Sequence, residues 1–212
     1  MKRTKKLPSH IDSPSSRASL GGTVSHYRPK ETIYQGTPAF TLFYIQEGGV
    51  RLTSRSKHQP SAVTSILGVG DFFGGHCLLG VPSRMSTAVA LTSSSIRVIE
   101  KESMIQMLQN KKLSNTFVSY LLSCLKRYED HVAELLTSSA EQRLACVLLR
   151  LANLDGKEKS LPTISHQVLS EMVGTTRSRI NVFMNRFRKQ GFIRYNGGIE
   201  VHKSLRKVLR SQ

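Results

Sequence analysis

The sequence predicts an α+β fold, with short strands in the N-terminal half and helices in the C-terminal half. β-Branched and aromatic residues recur in short runs between glycines from about residue 24 to residue 100. From Lys101 onward the apolar residues are spaced by three and four, which is typical of amphipathic helices. Residues 165–192 then predict two short helices joined by a tight turn.

The strand region contains six runs of the same kind. They are TIYQG (32–36), FTLFYIQ (40–46), GVRLTS (49–54), SAVTSIL (61–67), STAVAL (86–91) and SSIRVIE (94–100). Many short strands at this spacing favour a closed or nearly closed antiparallel barrel.

Three helices are predicted after the strands, over 103–108, Leu113–Leu136 and Gln142–Leu154. The long central helix carries an apolar stripe formed by Phe117, Leu121, Cys124, Leu125, Tyr128, Val132 and Leu135. A stripe of this length on a helix between two domains favours a parallel dimer seam. The alternative is that the stripe packs against the barrel of its own chain.

The first helix of the C-terminal pair begins near Ser165. Its apolar residues are Val168, Leu169, Met172 and Val173. Gly174 follows, and glycine is the residue best able to end a helix in a left-handed conformation. Thr175 or Thr176 then supplies a hydroxyl to cap the next helix.

The second helix of the pair has two different faces at 100° per residue. Ile180, Phe183, Met184 and Phe187 share a buried face, while Ser178, Asn181, Asn185 and Lys189 lie opposite, between edges formed by Arg177, Arg188, Arg179 and Arg186. This arrangement suits the DNA major groove. The alternative is a solvated basic helix, but such a face usually carries acid–base pairs, and no acid lies between Glu171 and Glu200.

The formal charge of +17 is unevenly spread. Residues 160–212 hold ten Lys/Arg and two acids, whereas residues 23–159 hold sixteen and eleven. Clustered positive charge attracts phosphate backbones, so the composition favours a DNA-binding end on a near-balanced domain. A barrel with a basic tail that binds any duplex weakly is the competing class.

Other classes receive little support. Cys77, Cys124 and Cys146 are too few and too scattered for a disulfide framework or an iron–sulfur cluster, which favours the cytoplasm. We find no metal-ligand spacing and no nucleophile–base pair, so we expect no metal, no cofactor and no enzyme. No apolar run is long enough for a membrane span. Residues 1–22 predict a disordered basic arm without a secretory h-region.

The order of barrel, long helix and helix-turn-helix resembles the cyclic-AMP receptor and fumarate–nitrate regulator (Crp/Fnr) family of bacterial transcription factors. The resemblance covers about residues 24–205 and is carried by TIYQG, FTLFYIQEGGVRL, GDFFGG, STAVAL, LSEMVGTTRSRINVFMNRFRKQGFI and YNGGIEV. It implies a homodimer on a near-palindromic site, with RNA polymerase as a further partner.

The resemblance also implies a division of the chain. The arm, 1–22, precedes a cyclic-nucleotide-binding-like β-barrel of the double-stranded β-helix (jelly-roll) type, 23–111. A dimerisation helix, 112–137, and a winged helix-turn-helix domain, 138–212, follow.

The predicted DNA-binding set comprises Ser165, His166, Thr175, Thr176, Arg177, Ser178, Arg179, Asn181, Val182, Arg186 and Lys189. Arg177 is expected to contact a guanine edge, while Arg179 and Arg186 are expected to contact phosphate. Ser178 stands where many relatives carry an acid, which leaves the operator sequence open.

The effector loop departs from the family pattern. In nucleotide-binding relatives an acid accepts the ribose hydroxyl and an arginine pairs with the cyclic phosphate. Here the acid position is Gly75 and the arginine position is Met85, with Arg84 one residue earlier, while Ser86 matches. Because the arginine geometry decides phosphate recognition, we expect a degenerate pocket that does not bind cyclic AMP.

The candidate pocket residues are Gly74, Gly75, His76, Cys77, Arg84, Met85 and Ser86. Two alternatives remain open. A cyclic-nucleotide-responsive pocket would use Arg84, and a haem- or redox-sensing pocket would use His76 and Cys77 as ligands.

Overall fold

The computed structural model describes residues 21–36, 40–54, 62–79, 86–152, 164–196 and 198–210. Within them, eight strands precede the first α-helix. They are β1 (Thr23–Tyr27), β2 (Thr32–Gln35), β3 (Thr41–Glu47), β4 (Val50–Ser54), β5 (Ala62–Leu67), β6 (Phe72–Phe73), β7 (Ser86–Ala90) and β8 (Ser94–Glu100). The six predicted runs each agree with a strand to within about a residue. Strands β1 and β6 match none of the six runs, and β6 is only two residues long.

The strands form two antiparallel four-stranded sheets, in the orders β1-β8-β3-β6 and β2-β7-β4-β5. The sheets pack face to face, with Phe43, Phe73 and Ile96 of the first sheet meeting Val50 and Ala88 of the second. The expected antiparallel jelly roll is therefore confirmed. Of the two predicted forms, closed or nearly closed, the structure matches the second, since the described strands form two open sheets rather than one continuous cylinder.

Strand β3 explains why its sequence is apolar without alternation. Leu42, Phe43, Tyr44 and Ile45 are all buried. Phe43 and Ile45 face the space between the sheets, whereas Leu42 and Tyr44 pack beneath the helices that follow. Both faces of this strand are covered, so no polar residue is needed on either.

Five α-helices lie in the described residues. They are α1 (Lys101–Leu108), α2 (Lys111–Thr137), α3 (Ala140–Ala152), α4 (His166–Val173) and α5 (Arg177–Lys189). Helix α2 begins two residues before the predicted start because Asn110 caps it, its side chain accepting from the amides of Lys112 and Leu113 at 3.0 and 3.2 Å.

The first half of α2 packs on the barrel of its own chain. Phe117 and Tyr120 meet Phe72 edge-on, with ring centroids 5.6 and 5.2 Å apart. The Tyr120 hydroxyl accepts from the Phe72 amide at 2.7 Å, and Arg127 pairs with Asp71 at 2.8 Å. Phe117 is only 8% exposed, so its assignment to the dimer seam was wrong. The own-barrel alternative holds for this half of the helix.

Helices α3, α4 and α5 share one core with a C-terminal hairpin. The hairpin strands are β9 (Ile193–Tyr195) and β10 (Ile199–Val201), and a 3₁₀ helix, Lys203–Arg210, follows them. The fully buried side chains of this core include Leu144, Leu148, Leu169, Ile180, Phe187 and Leu205. These elements form a winged helix-turn-helix, as expected.

The two halves of the molecule touch directly. Val63 and Ile66 of β5, together with Leu91, pack against the core of the helix-turn-helix. Arg143 of α3 forms hydrogen bonds with two neighbouring helix ends. Its Nε donates to the Val173 carbonyl at 2.9 Å, and its Nη1 donates to the Ser138 carbonyl at 2.7 Å. The end of α2 and the end of α4 are therefore held by one side chain.

Candidate DNA interface and effector pocket

The turn between α4 and α5 has the predicted geometry. Gly174 adopts a φ of +68°, and its amide donates to the Ser170 carbonyl at 3.0 Å. A Cβ added to Gly174 would meet nothing within 4 Å, so the left-handed conformation is what requires glycine. Thr176 rather than Thr175 caps α5, its hydroxyl accepting from the Arg179 amide at 3.3 Å. Ser165 caps α4 in the same way, with Val168 as the donor.

Helix α5 buries one face and exposes the other. Ile180, Met184 and Phe187 are at most 1% exposed, and Phe183 is half-buried. Nine members of the predicted DNA-binding set are exposed, namely Ser165, Thr176, Arg177, Ser178, Arg179, Asn181, Val182, Arg186 and Lys189. His166 and Thr175 are partly exposed. The buried face fixes the helix on its core, so the polar face is free to meet a ligand.

Val182 is the one apolar member of this face and is 55% exposed. An exposed branched side chain in the middle of a polar face gains nothing from the protein's own core. Contact with a thymine methyl group in the major groove is a role that suits it.

The arginines at one edge of α5 have partners within the protein. The Arg179 guanidinium lies over the Phe183 ring, 5.8 Å from its centroid. Nη1 of Arg186 bonds Oε2 of Glu141 at 2.7 Å. No local sequence pattern links this acid to Arg186, because Glu141 lies 45 residues away in the chain. The phosphate contacts expected of Arg179 and Arg186 stay predictions.

The wing adds basic and polar residues that the sequence analysis did not assign to the interface. Arg194, Tyr195 and Asn196 are exposed at the end of β9. Arg206 and Lys207 are exposed on the 3₁₀ helix. The Asn-Gly-Gly run after Tyr195 is a hairpin signal, and it lies in the YNGGIEV segment that carries the resemblance to the winged helix-turn-helix.

The two glycines of the effector loop differ in what the backbone demands. Gly74 has a φ of +77°, and a Cβ there would come within 2.9 Å of the Phe43 ring and the Thr41 carbonyl. Gly75 has no such constraint, since its Cβ would meet only Leu42 at 3.8 Å. The fold therefore needs glycine at 74 but leaves room for a side chain at 75.

Aromatic side chains fill the space between the sheets near this loop. Phe43 stacks on Phe73 with centroids 4.9 Å apart, and Tyr34 stacks on both at 5.5 and 6.2 Å. Tyr34 also forms a hydrogen bond with Ser86, the one family-matching residue of the pocket. Burial raises the pKa of Tyr34, while the bond to Ser86 lowers it. Arg84 and Met85 lie outside the described residues.

His76 and Cys77 lie in a 3₁₀ helix, Gly75–Leu79, and differ in their exposure to solvent. His76 is exposed to solvent, whereas Cys77 is 1% exposed. Burial raises the pKa of the Cys77 thiol, which disfavours the thiolate that a haem ligand requires. The described residues contain no group of three or more His, Cys, Asp or Glu side chains placed to hold a metal ion. The geometry thus gives the haem or redox alternative no support.

A second apolar face of α2 is exposed to solvent. Five predicted seam residues lie on or beside it, with Leu121, Tyr128, Val132 and Leu135 between 44% and 54% exposed and Cys124 half-buried. Val118, Leu122, Leu125 and Leu136 are also exposed and lie on the same side. The centre of the exposed face therefore lies near Leu125 and Val132, whereas the predicted stripe was centred further toward Phe117.

None of the helices in the described ranges is both long and apolar enough to cross a membrane.

Together the fold and the exposed face of α5 define a winged helix-turn-helix transcription regulator with an N-terminal jelly-roll domain. Two family models match the chain, a cyclic nucleotide-binding domain over residues 24–111 and a Crp-like helix-turn-helix domain over residues 142–206. The chain belongs to the Crp/Fnr family of transcription regulators.

Curated relatives match along most of the chain. The cyclic AMP receptor protein of Thermus thermophilus is 27% identical over 177 residues, which cover 82% of this chain and 81% of that protein. The cAMP-activated global transcriptional regulator CRP of Haemophilus influenzae is 26% identical over 181 residues, covering 81% and 80% of the two chains.

Solved structures share the fold. FixK2 from Bradyrhizobium japonicum superposes with a TM-score of 0.75 at 21% identity, covering 90% of this chain and 97% of that one. A CRP-family transcriptional regulator from Thermus thermophilus gives a TM-score of 0.74 at 24% identity, covering 88% and 97%.

Proposed function

We propose that this regulator acts as a homodimer on a two-fold symmetric operator and that its barrel does not respond to cyclic AMP. The observation that carries the proposal is the face of α5, where amide, hydroxyl and guanidinium donors are exposed above three fully buried side chains. A rigid helix with this surface fits the major groove and distinguishes base pairs there.

Each residue type on α5 has a role in the proposed complex. Arg177, at the first turn of the helix, donates to guanine O6 and N7, and Asn181 meets the next base edge. Arg179 and Arg186 bind phosphate at the helix edge, and Arg194 extends this contact from the wing. Base contacts then set the sequence, while phosphate contacts set the affinity and its dependence on salt.

Dimerisation explains the second apolar face of α2. Leu121, Leu125 and Val132 are each about half exposed, and they recur at helical spacing on one side. Pairing this face with its copy about a two-fold axis would bury it and place two recognition helices on successive turns of DNA, about 34 Å apart.

Three features support an altered effector pocket. Gly75 offers no carboxylate to a ribose hydroxyl. Ser86 already bonds Tyr34, and the Tyr34, Phe43 and Phe73 rings occupy the interior. A ligand would have to displace packed aromatic rings, which costs free energy that its few remaining contacts would not return.

A cyclic-AMP-responsive regulator is the second candidate. It is favoured by the names of the curated relatives and by the room for a side chain beside Leu42 at Gly75. Thermal melting with and without cyclic AMP separates the two candidates.

The deciding experiment for DNA recognition is selection of bound sequences from a random duplex library. A two-fold symmetric motif is the expected result, and it would fix the operator and the dimer together. Weak binding to every sequence, abolished by salt, would instead identify a general duplex-binding module. Acting on promoters as a regulator rather than as an enzyme, the protein would work in the cytoplasm and contact RNA polymerase.

A further inference from the structure

One acid reaches the edge of the recognition helix. Oε2 of Glu141, in the first turn of α3, lies 2.7 Å from Nη1 of Arg186 on α5. The Arg186 side chain is 52% exposed and that of Glu141 is 22% exposed. Within the described residues, Glu141 is the only side chain that hydrogen-bonds the Arg186 guanidinium. The other donors of the guanidinium are therefore available to a ligand from outside.

The backbone that carries Glu141 is held in place independently of Arg186. The Ser139 amide donates to Oε1 of Gln142 at 2.9 Å, and the Gln142 amide donates to the Ser139 hydroxyl at 3.3 Å. This reciprocal capping box fixes the first turn of α3. A carboxylate near the positive end of a helix is also favoured by the helix dipole. The backbone position of Glu141 at this edge therefore does not depend on Arg186.

We propose that Glu141 competes with a DNA phosphate for Arg186 and thereby lowers the affinity of the protein for duplex DNA of any sequence. The inference rests on the proposed function, since it assumes that α5 meets DNA. Ion pairs at the protein surface contribute little to stability, and the Arg186 side chain of this pair is half exposed, so exchanging the carboxylate for a phosphate costs little. Planar guanidinium groups bind phosphate well through paired donors, so the exchange is chemically matched.

A cleft beside the ion pair gives a phosphate room to approach. Its volume is about 400 Å³, and Gln190, Phe192 and Lys207 line it together with the pair itself. Lys207 supplies a second cation within reach of the same space. An incoming phosphate would thus meet two positive groups and one negative group. Removing the negative group should strengthen the attraction.

An acid at this position would reduce the non-specific attraction of a strongly basic chain to DNA. With a formal charge of +17, the protein is attracted to every duplex, and non-specific sites in a genome outnumber an operator greatly. Arg186 stands at the edge of α5 and not on its base-facing arc. Glu141 should therefore reduce the phosphate-dependent part of binding without changing which sequence is preferred.

The test compares Glu141→Gln with wild type in the full chain. Fluorescence anisotropy would follow a random-sequence duplex of about 30 base pairs and the selected operator across a salt series. We expect E141Q to bind both duplexes about threefold to fivefold more tightly and to show a steeper salt dependence. Gln retains an oxygen that accepts from Arg186, so the melting temperature should be unchanged.

Glu134→Gln is the matched control. Glu134 of α2 pairs with Arg150 of α3 at 2.5 Å, with side-chain exposures of 15% and 49%. The change removes the same charge and weakens the same kind of ion pair, but Arg150 is not on the recognition helix. We expect E134Q to alter DNA affinity by less than about twofold.

An Arg186→Gln background completes the design. There, E141Q should have no larger effect than E134Q, because the contested guanidinium is gone. Weaker binding by E141Q would overturn the inference in favour of an orienting role for Glu141. An effect equal to that of E134Q, or one that persists undiminished with R186Q, would also overturn it. Failure of the wild type to bind any duplex would instead reject the proposed function.

Discussion

The outer face of α5 and the interior of the jelly roll differ in how accessible their side chains are to a ligand. On α5 a fully buried core supports polar side chains that remain available to a partner. Between the sheets, the Tyr34, Phe43 and Phe73 rings pack on one another, and Ser86 is bonded to Tyr34. The polar face of α5 is exposed, whereas aromatic rings pack on one another in the described part of the space between the sheets. Membership in a sensor family therefore does not by itself establish that a chain senses the family's ligand.

The largest expected effect concerns the output side and depends on dimerisation. Leu121→Arg should place an unpaired charge in the seam and lower operator affinity about 100-fold or more, because the second half-site contact is lost. Sedimentation and anisotropy would measure both quantities. Leu79→Arg is the control, since Leu79 is 73% exposed and lies in the barrel domain rather than on α2. A monomeric wild type that binds one half-site tightly would contradict the dimer.

The filled interior can be tested by removing part of it. Replacing Phe73, which is 4% exposed, with Ala should lower the free energy of unfolding by about 3–5 kcal/mol. Replacing Phe40, which is 69% exposed, with Ala should lower the free energy of unfolding by less than about 0.5 kcal/mol. Urea denaturation would give both values. Equal and small losses would mean that the interior is loosely packed and open to a ligand.

The open face should separate base reading from phosphate binding. Arg177→Ala should cost about 1–3 kcal/mol on the operator and relax the preference at one position per half-site. Arg179→Ala should weaken all sequences alike and flatten the salt dependence. Competition binding against single-base operator variants would distinguish them. Uniform weakening by Arg177→Ala would remove its base-reading role.

The smallest expected effect is the response to cyclic AMP. A ligand present at about 100 times its dissociation constant stabilises a protein by about 2.7 kcal/mol, which a melting experiment detects easily. We expect no shift in melting temperature and no change in operator affinity. The cyclic AMP receptor protein of Thermus thermophilus serves as the positive control. A clear shift that is lost in Arg84→Ala would restore the nucleotide-sensing candidate.

Local rules were enough to predict the helix-turn-helix from the sequence. Gly174, Thr176 and the 3.6-residue spacing act within a few positions of one another, so the turn, the cap and the buried face of α5 followed directly. Six of the eight described strands before α1 were located for the same reason. Their division into two open sheets depends on pairings between distant segments, which periodicity does not encode.

Sequence spacing could not choose between alternative packing partners for a side chain. Helix α2 has apolar residues over a wide arc, and spacing alone did not reveal that Phe117 faces the barrel while Leu125 faces outward. Likewise, no local signal brings Glu141 to Arg186 or Tyr34 to Ser86. Such contacts depend on how separate elements pack, and they decide which residues remain available for function.

The contact of Val63, Ile66 and Leu91 with the helix-turn-helix core bears on how far the two halves can be treated as modules. Because each half covers apolar surface of the other, a fragment containing only the DNA-binding end would expose that surface to water. Grafting this end onto a different barrel would leave the same mismatch. This shared surface therefore favours inheritance of the two halves as a matched pair. A barrel that replaced the N-terminal half would need a β5 strand complementary to the helix-turn-helix core.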